Sequence, residues 1–129
     1  MAGERILVVD DNELNLKLLR VTLLGEGYDV ATARQAEETL ASLEQVVPRL
    51  ILMDIQLPDI DGLELTRRIK ADPRWADVPI VAVTSYAMKG DRERALAAGC
   101  EEYVTKPIDT RTFPALVAHI LARGVRGPR

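Results

Sequence analysis

The chain has 129 residues, which fits one domain, and its 47% hydrophobic content is too high for a disordered protein. The net charge of −3 argues against nucleic acid or an anionic membrane as a partner, because both select a basic surface. The single cysteine, Cys100, excludes a disulfide within the chain, and we expect a cytoplasmic protein without a signal peptide or a membrane span.

Five short apolar runs predict the strands of a sheet. In chain order they lie at 6–9, 28–32, 50–53, 79–83 and 102–105. The first, third and fourth are apolar nearly without a break, which is typical of strands buried on both faces of a parallel sheet. The second and fifth mix polar and apolar residues, which favours less protected positions in the sheet.

Helices are predicted between the strands and after the last one. The first runs from a cap at Asn12 to about Gly25, and three others occupy about 34–45, 63–71 and 89–98. The last helix begins as late as Thr112, because Pro114 is tolerated only in the first helical turn.

The alternation of strand and helix, repeated five times, predicts the fold. Right-handed crossovers between parallel strands produce an α/β domain with a doubly wound five-stranded parallel sheet, a (βα)5 three-layer sandwich. We assign 1–123 to this domain. Residues 124–129 are rich in Gly, Arg and Pro, which indicates a tail or the start of a linker.

Polar side chains that can bind a cation or a phosphoryl group follow four of the predicted strands. They are Asp10, Asp11, Asp54, Thr84, Ser85 and Lys106. Because parallel strands end at one edge of a sheet, we expect these side chains to meet there. Three crowded carboxylates repel one another and favour a cation, and all-oxygen ligands favour Mg²⁺, with Mn²⁺ or Ca²⁺ as substitutes. A metal, a lysine and a hydroxyl together suit a phosphoryl group, which a carboxylate can accept as an acyl phosphate.

Each of these residues also has an ordinary structural interpretation. The first acidic pair can cap a helix, Asp54 can be a solvated strand end, and Thr84 can begin a helix. We interpret Asp59 and Asp61 as loop residues rather than as ligands. The functional interpretation is favoured because four strands deliver complementary groups to the same edge.

Four motifs in this order resemble the receiver domain of two-component response regulators: VVDDN, LILMDIQLPDIDGLE, PIVAVTS and YVTKP. The resemblance covers about 5–123, and DDNELNLKLL and AMKGDRERALAAGC are most similar to single-domain receivers of the DivK type. It implies a flavodoxin-like, CheY-like fold. It also implies a phosphorelay, in which a histidine kinase or histidine phosphotransfer protein donates a phosphoryl group and a downstream target protein responds.

The same resemblance implies a role for each site residue. Asp54 is the phosphoacceptor, with its metal ion held by Asp10, Asp11, Asp54 and the main-chain carbonyl of Gln56. The residues that bind the phosphoryl group or switch with it are Thr84, Ser85, Tyr103 and Lys106. Pro107 follows a cis peptide bond, and Gln56 and Tyr86 tune the lifetime of the phosphorylated state.

Other functions stay open at this point. A magnesium-dependent phosphatase of the haloacid dehalogenase type also forms an aspartyl phosphate, but it has a second aspartate where this chain has Gln56. A flavodoxin-like binding module needs a Gly- and Thr-rich phosphate loop, and this chain has DDNELN there. A receiver that works as a scaffold, or as one module of a longer hybrid kinase or regulator, is a further alternative. We expect no enzyme activity beyond the domain's own phosphorylation and dephosphorylation.

The first predicted helix has two apolar stripes where packing on a sheet needs one. The stripes are Leu14, Leu18 and Val21, and, roughly opposite, Leu16, Leu19 and Leu23. The extra stripe either is buried between neighbouring helices or forms a docking surface for the helices of a phosphohistidine partner.

Overall fold

The computed structural model describes residues 3–85, 89–106 and 108–124. Strands and helices alternate along them with these bounds: β1 Arg5–Val9, α1 Glu13–Gly25, β2 Asp29–Ala33, α2 Ala36–Gln45, β3 Leu50–Asp54, α3 Gly62–Ala71, β4 Ile80–Thr84, α4 Asp91–Ala98, β5 Glu102–Thr105 and α5 Phe113–Gly124. Within the described ranges, every helix is too short or too polar to cross a bilayer.

The strands form one parallel sheet in the order β2-β1-β3-β4-β5. The predicted doubly wound α/β fold is therefore confirmed. β3 and β4 are buried along their whole length, whereas β2 and β5 are the partly exposed edges, as their mixed composition predicts. β1 pairs with β2 on one side and with β3 on the other, so the winding direction changes at β1.

Alternate residues of the central strands supply two separate hydrophobic cores. Ile6 and Val8 of β1 point to the face covered by α1 and α5, and Leu7 and Val9 point to the face covered by α2, α3 and α4. Because successive side chains of a strand point to opposite faces, an apolar run is needed wherever both faces are covered. Burial of each such side chain contributes about 1.5–3 kcal/mol to folding.

Two helices begin later than the sequence pattern predicts. The structure starts α2 at Ala36, two residues after the predicted start, because Gln35 is extended, with φ −161° and ψ 175°. It starts α4 at Asp91, because Gly90 before it has φ +86°, a left-handed conformation that a helix excludes. The proline in the first turn of α5 and the stop of α4 at Gly99 agree with the predictions.

The two apolar stripes of α1 have different surroundings. Leu16, Leu19 and Leu23 are buried in the core beneath α1 and α5. The other stripe, which we name the exposed α1 face, consists of Leu14, Leu18 and Val21, and these are 78%, 44% and 59% exposed. Burial between neighbouring helices is therefore the wrong explanation of this second stripe.

Candidate functional site

Three carboxylates meet where β1 and β3 end side by side. Oxygen atoms of Asp10, Asp11 and Asp54 lie within 4.8 Å of one another, and we name these three residues the acid cluster. Asp10 and Asp54 are almost fully buried, whereas Asp11 is exposed. The cluster lies where the winding direction of the sheet changes, which is where ligands bind in open α/β sheets.

Both oxygens of Asp10 have protein partners. The main-chain N–H of Asn12 donates to Oδ1 at 2.9 Å, and the ammonium of Lys106 lies 2.8 Å from Oδ2. The cap of α1 is the side chain of Asn12, which accepts from the N–H of Asn15 at 3.1 Å. Since Asn12 caps the helix, the carboxylates of Asp10 and Asp11 are not needed as its cap.

Lys106 reaches the acid cluster from the end of β5. Its N–H donates to the carbonyl of Thr84 at 2.7 Å, so the β4–β5 pairing fixes the main chain from which the side chain extends. The ammonium lies 3.3 Å from Oδ2 of Asp54, in addition to its contact with Asp10. Burial by itself would lower the pKa of Lys106, but the hydrogen bond and charge of Asp10, with Asp54, outweigh it and raise the pKa.

The carboxyl group of Asp54 holds its proton more tightly than an ordinary aspartate. Burial is the main cause, and the charge of Asp10 adds to it. The N–H of Gln56, which donates to Oδ1 at 2.8 Å, and the charge of Lys106 oppose the shift. The net result is a pKa of about 6, so the group is mostly ionised at neutral pH. A buried carboxylate with this balance is a candidate nucleophile.

The loop between β3 and α3 folds tightly against Asp54. The N–H of Gly62 donates to the carbonyl of Ile55 at 3.0 Å, and Gln56 pairs with Asp61 in an isolated antiparallel bridge. A Cβ atom added at Gly62 would lie 2.4 Å from the carbonyl oxygen of Asp54. Glycine is therefore required here by the close approach of two backbone segments.

The remaining predicted residues lie at the ends of β4 and β5. Thr84 is fully buried and is the last residue of β4, one position beyond the Asp54–Val83 pair. The N–H of Ser85, which is exposed, donates to the side-chain oxygen of Gln56 at 3.4 Å.

Tyr103 lies on β5, and its hydroxyl donates to Asp91 of α4 at 3.4 Å. The predictions for Tyr86 and for the peptide bond before Pro107 fall outside the described residues.

Two acids of the β3–α3 loop have roles that the sequence analysis did not find. Asp61 caps α3 by accepting from the N–H of Leu63 at 2.8 Å, and Glu64 at the third helical position is a recognisable sign of such a cap. Asp59 accepts from the N–H of Ala36, the first residue of α2. No local pattern could reveal the second contact, because its partners are 23 residues apart.

The acid cluster has the chemistry of a site for a hard divalent cation. The side-chain atoms that could bind a metal are all carboxylate oxygens. The ammonium of Lys106 offsets only part of their negative charge. Such ligands suit Mg²⁺, which also retains several waters, and the exposed Asp11 leaves the site open to solvent. The residues present therefore fit this ion.

Comparisons with known proteins agree with this geometry. The family model described as "Response regulator receiver domain" matches residues 6–118. A similar protein is the polar-differentiation response regulator DivK of Brucella abortus (strain 2308), which is 45% identical over 108 residues, covering 84% of this chain and 88% of the relative.

Solved receiver structures superpose closely on this fold. A CheY-like receiver domain protein of Methanospirillum hungatei is 32% identical, with a TM-score of 0.88 over 95% of this chain and 97% of that one. The receiver domain of sensor histidine kinase PA1611 of Pseudomonas aeruginosa, solved with a magnesium ion in its active-site cleft, is 35% identical, with a TM-score of 0.85 over 94% and 99% of the two chains. From its motifs, its fold and these matches, the chain belongs to the response regulator receiver domain family of two-component signalling.

Proposed function

We propose that this domain accepts a phosphoryl group on Asp54, with Mg²⁺ bound beside it, and then changes conformation to control a partner protein. The observation that carries the proposal is the buried carboxylate of Asp54, 3.3 Å from Lys106 and clustered with two further acids at the edge of the sheet. We infer that the donor is a phosphohistidine on a histidine kinase or a histidine phosphotransfer protein, and that the domain works in the cytoplasm.

We assign the metal site to Asp10, Asp11, Asp54 and the main-chain carbonyl of Gln56. When bound, Mg²⁺ offsets the negative charge and polarises the phosphoryl group. The exposed Asp11 is the better direct ligand. Asp10, whose two oxygens already contact Asn12 and Lys106, acts mostly through water.

The chemical step follows from the ionised state of Asp54 at neutral pH. One of its oxygens attacks phosphorus, the P–N bond to the donor imidazole breaks, and the aspartyl phosphate forms. Lys106 then forms an ion pair with the phosphoryl oxygens, in place of its contacts with the carboxylates of Asp10 and Asp54. Thr84 donates a hydrogen bond to the same group, and the small side chain of Ser85 leaves room for it.

The switch that follows uses contacts between β4, β5 and α4. A phosphoryl group that draws Thr84 and Lys106 toward it displaces both strand ends together, because the N–H of Lys106 is bonded to the carbonyl of Thr84. Tyr103, on the strand that leads to Lys106, contacts Asp91 at the start of α4. Phosphorylation then shifts a pre-existing equilibrium of α4.

The exposed α1 face supplies a docking surface beside the acid cluster. Leu18 borders a small cavity of about 40 Å³ together with Lys106 and Ile108, so the apolar face continues to the edge of the site. An apolar helix face that adjoins a reactive carboxylate suits the helices of a phosphohistidine donor. Both a single-domain receiver and a receiver module of a longer hybrid kinase would use such a face.

We further propose that catalysis is limited to the domain's own phosphorylation and dephosphorylation. A phosphatase of the haloacid dehalogenase type needs a carboxylic acid two residues after its nucleophile. This chain has the amide of Gln56 there, and an amide cannot serve as a general acid.

The test is incubation with acetyl phosphate and Mg²⁺, followed by intact-mass measurement of a phosphorylated species. The wild type and an Asp29→Asn control, altered at an exposed acid of the edge strand, should gain one phosphoryl group. Asp54→Asn should gain none. Uptake by Asp54→Asn at the wild-type rate would contradict the proposal, and rapid turnover of external phosphomonoesters would favour a phosphatase instead.

A further inference from the structure

The side chain of Asp59 joins the β3–α3 loop to the start of α2. Its Oδ1 and Oδ2 lie 3.2 and 3.0 Å from the N–H of Ala36, so both carboxylate oxygens accept from the first residue of the helix. The residue before it, Gln35, makes no side-chain cap of its own. A carboxylate at a helix N-terminus is favoured by the unpaired N–H groups and the helix dipole. We name this contact the Asp59–α2 link.

The loop that carries Asp59 also carries the proposed main-chain metal ligand. Its base is closed by the Gln56–Asp61 bridge and by the bond from the Gly62 N–H to the Ile55 carbonyl. Gln56 in turn donates its N–H to Asp54. The Asp59–α2 link attaches the side of the loop that lies away from this base. The loop is therefore held both at its base and on its far side.

The link also bounds the approach to the acid cluster. A cleft of about 360 Å³ beside Asp11 is lined by the turn before α2, at Arg34 and Gln35, by Glu38 of α2 and by Pro58 of the loop. Pro58 directly precedes Asp59, so the link holds one wall of this cleft against the other. The carboxylate of Asp59 therefore adds a polar contact between two walls whose apolar residues pack in the same core.

We propose that Asp59 is a positioning residue of the metal site, which through α2 fixes the loop that presents Gln56 before a cation binds. This inference rests on the proposed function, since the cation is the one that assists Asp54. A loop held in its binding conformation loses less conformational freedom when the ion binds, which raises affinity without a direct contact. Asp59 acts through the loop and touches neither the ion nor the phosphoryl group.

The experiment measures the Kd of Mg²⁺ for the full chain by isothermal titration calorimetry. Asp59→Ala should weaken binding by about tenfold, the scale of losses for groups that orient metal ligands. Asp59→Asn should bind nearly as tightly as the wild type, because an amide oxygen still accepts from Ala36. At saturating Mg²⁺, the rate of phosphorylation of Asp59→Ala by acetyl phosphate should return close to the wild-type rate.

Two further variants separate the link from a simple charge effect. Glu37→Ala removes one negative charge from the first turn of α2, as Asp59→Ala removes one beside it, and Glu37 is exposed. It leaves the β3–α3 loop untouched and should keep the wild-type Kd. Ala36→Pro removes the donor N–H from the other side of the link. Proline suits the first position of a helix, and this variant should match Asp59→Ala.

Amide hydrogen exchange without metal supplies a readout that does not depend on activity. Asp59→Ala and Ala36→Pro should both speed exchange at Gln56 and Gly62, and Glu37→Ala should not. A wild-type Kd in both link variants overturns the inference, as does equal weakening by Asp59→Asn or by Glu37→Ala. A wild type that binds no Mg²⁺ or takes up no phosphate overturns the proposed function as well, so the two failures are distinguishable.

Discussion

The ammonium of Lys106 lies 3.3 Å from the carboxylate of Asp54, although the two residues are 52 positions apart in the chain. Their side chains are 12% and 3% exposed, so the pair is shielded from water. The pKa of Asp54 is nevertheless raised, because burial and the charge of Asp10 outweigh the lysine. The ionised form of Asp54 is therefore disfavoured in the folded protein, although Lys106 offsets part of the negative charge of the acid cluster.

The first prediction concerns the pH dependence of stability without metal. The pKa of Asp54 rises from 3.8 to about 6 on folding, so the folded state binds the proton more tightly than the unfolded chain. The resulting stabilisation is complete below pH 3.8 and is lost as the pH rises through 6. Lowering the pH from 7 to 5 should raise the free energy of unfolding by about 1 kcal/mol, measured by urea denaturation in EDTA.

The matched variant for this prediction is Asp54→Asn, which has no such titration. It should be more stable than the wild type at pH 7 in EDTA and should lose this part of the pH dependence. Saturating Mg²⁺ should flatten the wild-type profile, because the cation competes with the proton for the carboxylate. Identical pH slopes for the two proteins in EDTA would show that Asp54 is not the group responsible.

The second prediction concerns the close approach at Gly62. A Cβ at this position would lie 2.4 Å from the carbonyl oxygen of Asp54 and 2.5 Å from the Cα of Ile55, and backbone atoms cannot move aside cheaply. Gly62→Ala should lower the free energy of unfolding by about 3 kcal/mol and weaken phosphate uptake, because Asp54 is displaced. Thermal melts and acetyl phosphate assays measure the two effects.

The control is Gly25→Ala at the end of α1, where an added Cβ meets nothing within 4 Å. This variant should be neutral or slightly stabilised, since alanine lowers the entropy of the unfolded chain. A Gly62→Ala protein with wild-type stability would mean that the backbone here yields more easily than these distances indicate.

The third prediction separates phosphorylation from switching. Thr84 is fully buried, and Thr84→Val keeps its branched shape while removing the hydroxyl. Without that donor, the aspartyl phosphate should still form, but the change in amide exchange of α4 that accompanies phosphorylation should fall nearly to zero. Hydrogen exchange with and without acetyl phosphate is the measurement.

Thr66→Val serves as its control, because Thr66 is equally buried and its hydroxyl bonds to the carbonyl of Gly62 within α3. It should keep the response of α4. If Thr84→Val responds as the wild type does, the threonine hydroxyl is not part of the switch.

The fourth prediction concerns the exposed α1 face. Leu14 is 78% exposed, so Leu14→Ser should change stability by less than about 0.5 kcal/mol. It should slow phosphotransfer from the cognate histidine donor by about tenfold, equivalent to ~1.4 kcal/mol of docking energy, and leave the rate with acetyl phosphate unchanged. Profiling the histidine kinases of the source organism would identify the donor for this assay.

Leu96→Ser on α4 is the matched variant, since Leu96 is 42% exposed and lies on another helix. Transfer from the histidine donor should proceed at the wild-type rate in this protein. Equal slowing of both phosphodonors by Leu14→Ser would indicate damage to the site rather than loss of docking.

The secondary structure was largely predictable from local patterns. Apolar runs identified the five strands, and the mixed composition of the second and fifth predicted which strands lie at the sheet edges. The starts of α2 and α4 were predicted two residues early, because the extended Gln35 and the left-handed Gly90 have no apolar pattern that marks them. Helix ends depend on backbone conformations that composition specifies only weakly.

The candidate site was likewise predictable from the sequence only in part. The sequence shows that acids, a threonine and a lysine follow the predicted strands, because strands and motifs are local features. That β1 lies beside β3, which brings Asp10 next to Asp54, is decided by the pairing of the whole sheet. The raised pKa of Asp54 and the bond from Asp59 to Ala36 also arise only in the folded molecule. The pKa shift requires burial, and the hydrogen bond requires contact between residues that are distant in the chain. Burial and such contacts arise only when the sheet and its helices have packed.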